Sequence, residues 1–182
     1  DNVAISLPAG WTIYQEANNT AAMRASLAWK RAVGAEAAFV VTHAAGDGIV
    51  ANVVVYRGCI DTGSPINIST LTSNASSSTC TANSITTTAT GCMILFTMHD
   101  SDNGSSSAQA ATDPATFVEE FDNTSTSGLD EAVSGADNLQ SAQGATGNAT
   151  GSLSLGPDVN SGGLTALTPL PITTPPNSLM LV

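Results

Sequence analysis

The run Ile49-Val-Ala-Asn-Val-Val-Val-Tyr-Arg57 constrains this chain more than any other stretch. β-Branched residues lose little extra freedom in a strand and pack well on a pleated surface. The run therefore predicts a strand, and Gly58 closes it. A second signal comes earlier. Met23, Ala25, Leu27 and Trp29 share one parity, while Arg24, Ser26, Ala28 and Lys30 share the other. That period of two predicts a strand with one buried and one wet face, although the same residues include good helix formers. The rhythm continues through Ala38–Thr42.

The rest of the chain reads as short apolar runs between turn signals. Pro8 and Gly10 punctuate the entry to Trp11–Tyr14, and Asn18-Asn19-Thr20 reads as a loop. Asp61–Ser78, with Gly63, Pro65 and many serines, reads as a long surface connection. Thr79–Thr88 predicts a Thr-rich strand near an edge. Cys92–Met98 is nearly continuously apolar and predicts a strand covered on both faces. His99–Ala110 reads as a loop. Phe117–Phe121 fits a short strand or a helical turn after Pro114, and Leu129–Leu139 fits strand or helix. Ala149–Leu155 alternates weakly, and Leu164–Leu170 is the last strand candidate. About eight or nine short strands without an intervening helix predict an all-β fold, an antiparallel, jelly-roll-like β-sandwich. The sandwich domain is expected over residues 1–170. Residues 171–182, rich in proline and ending Leu179-Met180-Leu181-Val182, form an extended C-terminal tail expected to dock on the same or a neighbouring chain.

Charge excludes several partners. The net charge is −11, and all four basic residues, Arg24, Lys30, Arg31 and Arg57, lie in the first third. Phosphate backbones need basic side chains, so no nucleic-acid surface is expected. An anionic membrane would repel the chain, and no apolar run reaches the roughly 20 residues of a spanning helix.

Catalytic signatures are absent from the sequence. There is no Gly-Xaa-Ser-Xaa-Gly elbow, zinc helix or phosphate loop. Ser101 near His99 is the one local nucleophile–base pairing. Glu119 and Glu120 would point to opposite faces of a strand. The chain is therefore expected not to be an enzyme. The one metal reading is a calcium loop at Asp100 and Asp102, beside Asn103, because calcium is a hard cation that takes several oxygen ligands. Asp47, Asp61 and Asp158 also fall in expected loops. No other cofactor is expected. Trp11 and Trp29 read as core residues or, alternatively, as an aromatic platform for glycan. His43 and His99 read as surface groups at strand ends. Cys59, Cys80 and Cys92 allow a Cys80–Cys92 or a Cys59–Cys80 bridge, or buried free thiols.

One resemblance carries further. Pro8-Ala9-Gly10-Trp11-Thr12, Ala28-Trp29-Lys30-Arg31, Val55-Tyr56-Arg57-Gly58 and Asp61-Thr62-Gly63-Ser64-Pro65-Ile66-Asn67 are followed by Ser84-Ile85-Thr86-Thr87-Thr88 and the strand opening at Gly91. Phe117-Val118-Glu119-Glu120-Phe121 and Ala142-Gln143-Gly144-Ala145-Thr146-Gly147 come next. In that order, over residues 5 to about 170, they resemble a family of bacteriophage and bacterial surface β-sandwich domains found in virion decoration, tail and appendage proteins. The resemblance implies a structural protein on the virion surface. As a capsid decoration or accessory protein, it would stabilise the particle by binding capsid or appendage structural proteins and copies of itself. The alternative it implies is an appendage or tail module, extracellular or on the bacterial surface, that binds host glycan or receptor. It implies no catalytic residues. Members usually carry a further apolar strand before the Pro-Ala-Gly-Trp element. This chain lacks it, so an unpaired first edge is expected.

Overall fold

The computed structural model describes residues 3–20, 22–36, 38–43, 48–128 and 130–171. It is all-β and antiparallel. Twelve strands form four sheets, rather than the eight or nine strands expected. They are β1 (Ile5–Ser6), β2 (Thr12–Asn19), β3 (Met23–Trp29), β4 (Thr42–His43), β5 (Ile66–Ser77), β6 (Thr79–Ala82), β7 (Cys92–Asp100), β8 (Ser106–Ala110), β9 (Val118–Ser125), β10 (Glu131–Gln140), β11 (Ala149–Leu153) and β12 (Asp158–Leu167).

The central sheet runs β5-β12-β7-β10-β9, with the apolar β7 at its middle. Alternation gives β7 two working faces. Ile94, Phe96 and Met98 point to one side and join Leu164 and Ala166 of β12 in the main core. The three-stranded sheet β6-β11-β8 covers that side, contributing Cys80, Ala82, Ala149 and Leu153. Phe96 is fully buried, with its ring centroid 5.7 Å from that of Phe117. A buried side chain of this size stabilises by roughly 1.5–3 kcal/mol. The sheets approach closely because small residues face large ones. A Cβ on Gly151 would collide with the Met98 Sδ.

On the opposite face of the central sheet lies the β2–β3 hairpin. Its inward residues Met23, Ala25 and Leu27 are buried, as their parity predicted. Gly163 of β12 admits this layer, since a Cβ there would sit 3.0 Å from Leu27 Cδ1. Amides tie the hairpin down. Asn19 donates to the carbonyls of Asn74 (2.6 Å) and Asn160 (2.7 Å), and Asn74 donates to Thr81 O and Asn160 Oδ1, both at 2.9 Å. Tyr14 OH and Thr165 Oγ1 lie 2.9 Å apart.

Several expectations need correction. Asp61–Ser78 is not a connection throughout, because Ile66–Ser77 forms β5, whose hydroxyl and amide side chains bond to neighbours in place of apolar packing. His99–Ala110 is not one loop: His99 and Asp100 finish β7, and Ser106–Ala110 is β8. Thr79–Thr88 is a strand only to Ala82, after which Thr86 makes an isolated bridge to Ala145. Of the segments left open between strand and helix, Val118–Phe121 lies in β9 and Glu131–Leu139 in β10. All three cysteines are free thiols, with Cys80 and Cys92 buried. The expected docking of the tail concerns residues 172–182, which lie outside the described residues.

Candidate interaction surface

Among the described residues, the strongest strand signal in the sequence has no strand partner. Residues 48–57 run without a bend or turn, yet no backbone hydrogen bond joins 49–57 to any described segment. Burial still alternates along the run. Val50, Val54 and Tyr56 are half-buried, while Ile49, Val53 and Val55 are exposed, Val55 at 74%. Side chains, not a ladder, hold this stretch to the central sheet. Tyr56 OH donates to Asp137 Oδ2 at 2.6 Å, and Asn123 Nδ2 donates to Asn52 Oδ1 at 3.0 Å. The Val50 N–H bonds to the Glu131 carboxylate. Burial, then the Asp137 hydrogen bond and charge, raise the Tyr56 phenol above its ordinary range.

Two neighbouring stretches behave alike. Val3–Leu7 and Ala38–His43 alternate between half-buried and exposed residues, and they pair with each other only at Ile5–His43 and Ser6–Thr42. These segments and the hairpin form an outer layer whose pieces are separated by gaps. One gap is a cavity of about 220 Å³, floored by Leu95, Thr97 and His99 of β7 and walled by Leu27 and Val50. A second, of about 310 Å³, lies between Trp29, Val54, Tyr56, Cys59 and Leu167. Thr97 Oγ1 and His99 Nε2 have no hydrogen-bond partner. His99, expected at the surface, is half-buried and lines this cavity. Burial there lowers its pKa to about 4, so the ring is neutral at neutral pH.

The outer surface carries several exposed apolar side chains. Val33, Val40, Ile49, Val53 and Val55 are all exposed large hydrophobics of residues 33–55. Unpaired backbone on an extended apolar segment is a template for another strand. Trp11 and Trp29 are half-buried walls of the gaps, and Trp11 is tilted at 50° against Phe39, centroids 4.7 Å apart.

The expected calcium ligands lie on the far side of this layout. Asp100 ends β7 opposite Asn160 of β12 and is 2% exposed. Burial, then the charges of Asp158 and Asp102, raise its pKa to about 7, against a small opposing pull from the Ser101 and Asp102 backbone. Asp102 stands in the following loop, where its Oδ1 accepts from its neighbour Asn103 N at 2.7 Å. The structure thus brings Asp100, Asp102 and Asp158 within electrostatic reach. Among the described residues, however, no three acidic, histidine or cysteine groups are placed to hold a metal. Asp47 lies outside the described residues. Asp158 is the least expected of these neighbours, since only the β7–β12 pairing brings it near.

In comparisons with known proteins, the chain matches no family model, no curated protein and no solved structure. Among the described residues, no helix is long and apolar enough to cross a membrane.

Proposed function

We propose that this chain is a structural virion surface protein, a capsid decoration or accessory module of jelly-roll-like sandwich type. It attaches to a protein lattice, together with copies of itself, through its gapped outer layer. One observation carries the reading: Ile49–Arg57 lies extended with an inward row packed, an outward row of exposed valines, and no ladder on its backbone. Strand addition in trans supplies affinity through main-chain hydrogen bonds and specificity through alternate side chains. The resemblance to virion and appendage sandwiches supports the particle as the setting. The net charge of −11 suits a face turned to solvent rather than to nucleic acid. The alternative, an appendage or tail module stacking host glycan on aromatic rings, is less favoured by the half-buried, tilted setting of Trp11.

Cryo-electron microscopy of particles carrying the chain tests the proposal. Density is expected at symmetry-related surface positions, with residues 48–57 turned toward the lattice. Val53→Glu with Val55→Glu should keep the fold and lose attachment. A chain that never joins a particle, or a double variant that attaches normally, sinks the reading.

A further inference from the structure

Both tryptophans and both tyrosines of this chain line one cavity, the space of about 310 Å³ between the hairpin, residues 54–59 and the central sheet. The hairpin register sets Thr12 opposite Trp29, so Trp11 and Trp29 stand at its open end. Tyr14 is held by its contact with Thr165 at 2.9 Å, and Tyr56 by its hydrogen bond to Asp137 at 2.6 Å. All four side chains are half-buried, above a floor of Leu95 and Leu167. The same cavity gathers positive charge in a chain of net charge −11. Lys30 and Arg31, two of the four basic residues, border it. Lys30 is paired with Glu36. Arg31 has no ion-pair partner among the described residues and donates one N–H to the Gly63 carbonyl at 3.1 Å. A guanidinium carries five such donors. Burial raises the pKa of the Cys59 thiol, another lining group, and the Arg31 charge opposes that rise, which sets Arg31 within electrostatic reach of the Cys59 end. The nearby acids act elsewhere, Asp137 and Glu120 on Tyr56 and Glu36 on Lys30.

We propose that this cavity binds a small planar aromatic carboxylate, with its rings between the aromatic walls and its carboxylate on Arg31 at the Cys59 end. Three features fit. Aromatic walls favour a flat ring through offset and edge-to-face contact. Size calls for two fused rings, because a cavity of about 150 Å³ holds one benzene ring, and this one is about twice as large. The Arg31 fork matches a carboxylate with two parallel hydrogen bonds, and its remaining donors are open to make them. The net negative charge of the chain does not forbid an anion here, since physiological salt screens exposed charges beyond about 8 Å and leaves the adjacent guanidinium to decide. The site lies within one chain and does not depend on the proposed attachment to a particle.

Titration of the isolated full-length chain with naphthoate tests this, read from the indole N–H signals in a nitrogen–proton correlation spectrum. Trp11 and Trp29 are the chain's two tryptophans and both border the cavity, so both signals should shift and saturate together. Naphthamide, which keeps the shape and loses the charge, should bind at least about tenfold more weakly. Arg31→Gln should weaken naphthoate by a similar factor and leave naphthamide unmoved. Arg24→Gln removes a cation that does not border this cavity and should bind naphthoate like the wild type. The other amide signals of each variant report that the fold is kept. A second measurement places the carboxylate. Saturating naphthoate should slow alkylation of Cys59 at least about tenfold in the wild type. Unshifted indole signals, equal affinity for acid and amide, wild-type affinity in Arg31→Gln, or unchanged alkylation of Cys59 at saturation would each overturn the proposal.

Discussion

Replacing Asp100 with Asn isolates the cost of one buried carboxylate. In the fold its pKa rises from 3.8 to about 7, chiefly through burial and then through Asp158 and Asp102. A raised acid pKa means that the folded state holds the proton longer than the unfolded chain does. Stability tied to Asp100 is therefore intact below about pH 4 and is lost as pH rises toward 7. The full shift corresponds to roughly 4 kcal/mol at alkaline pH, an upper bound for the effect. His99 works in the opposite direction. Its pKa is lowered to about 4, so its contribution is lost as pH falls from 6.5 toward 4. The two trends overlap, so the informative quantity is the difference between Asp100→Asn and wild type, not either curve alone. Urea unfolding in the presence of a chelator should give near-equal stabilities at pH 4 and a more stable Asp100→Asn at pH 8. A difference that stays constant with pH would refute the argument. If Asp100 and Asp102 together take calcium, millimolar calcium should stabilise the wild type at pH 8 and leave Asp100→Asn unmoved.

Other perturbations follow from the same structure. Replacing His99 with Leu, which carries no proton, should flatten the acid side of the stability curve between pH 6.5 and 4, read by thermal unfolding. Gly151→Ala drives a methyl into Met98 and should cost roughly 1–3 kcal/mol, seen as a lower Tm. Burial pushes the Cys80 thiol up to about 12, so in the native protein a thiol reagent should label half-buried Cys59 first and Cys80 only on unfolding.

The elements legible in the sequence are those whose faces are written in apolar side chains. Met23–Trp29 and Cys92–Met98 announced both their strands and their burial, and β7 takes the central place its continuous apolar run implies. β5 was hidden because its contacts are polar. Ser69 accepts from Gln15, and Asn74 meets Asn19, Thr81 and Asn160, so no period of two in hydrophobicity marks it. The first half of β12 was hidden for another reason. Gly162 and Gly163 are there because Thr81 and Leu27 approach too closely for a Cβ, and glycine ordinarily argues against a strand. Ile49–Arg57 teaches the converse. Its propensity and alternation are those of a strand, but a strand also requires a neighbour, and sequence pattern carries no information about one. Asp100 and Asp102 were legible as closely spaced acids. The burial of Asp100 and the approach of Asp158 were not, because both depend on pairing across residues far apart in the chain.

The proposed attachment requires the backbone of 49–57 to be open in the free protein and filled on the particle. Amide exchange at Ala51, Val53 and Val55 measures it directly. Rapid exchange is expected in the isolated chain, and strong protection once the chain is bound to its lattice. Protection already present in the free monomer, or exchange unchanged on binding, would contradict it.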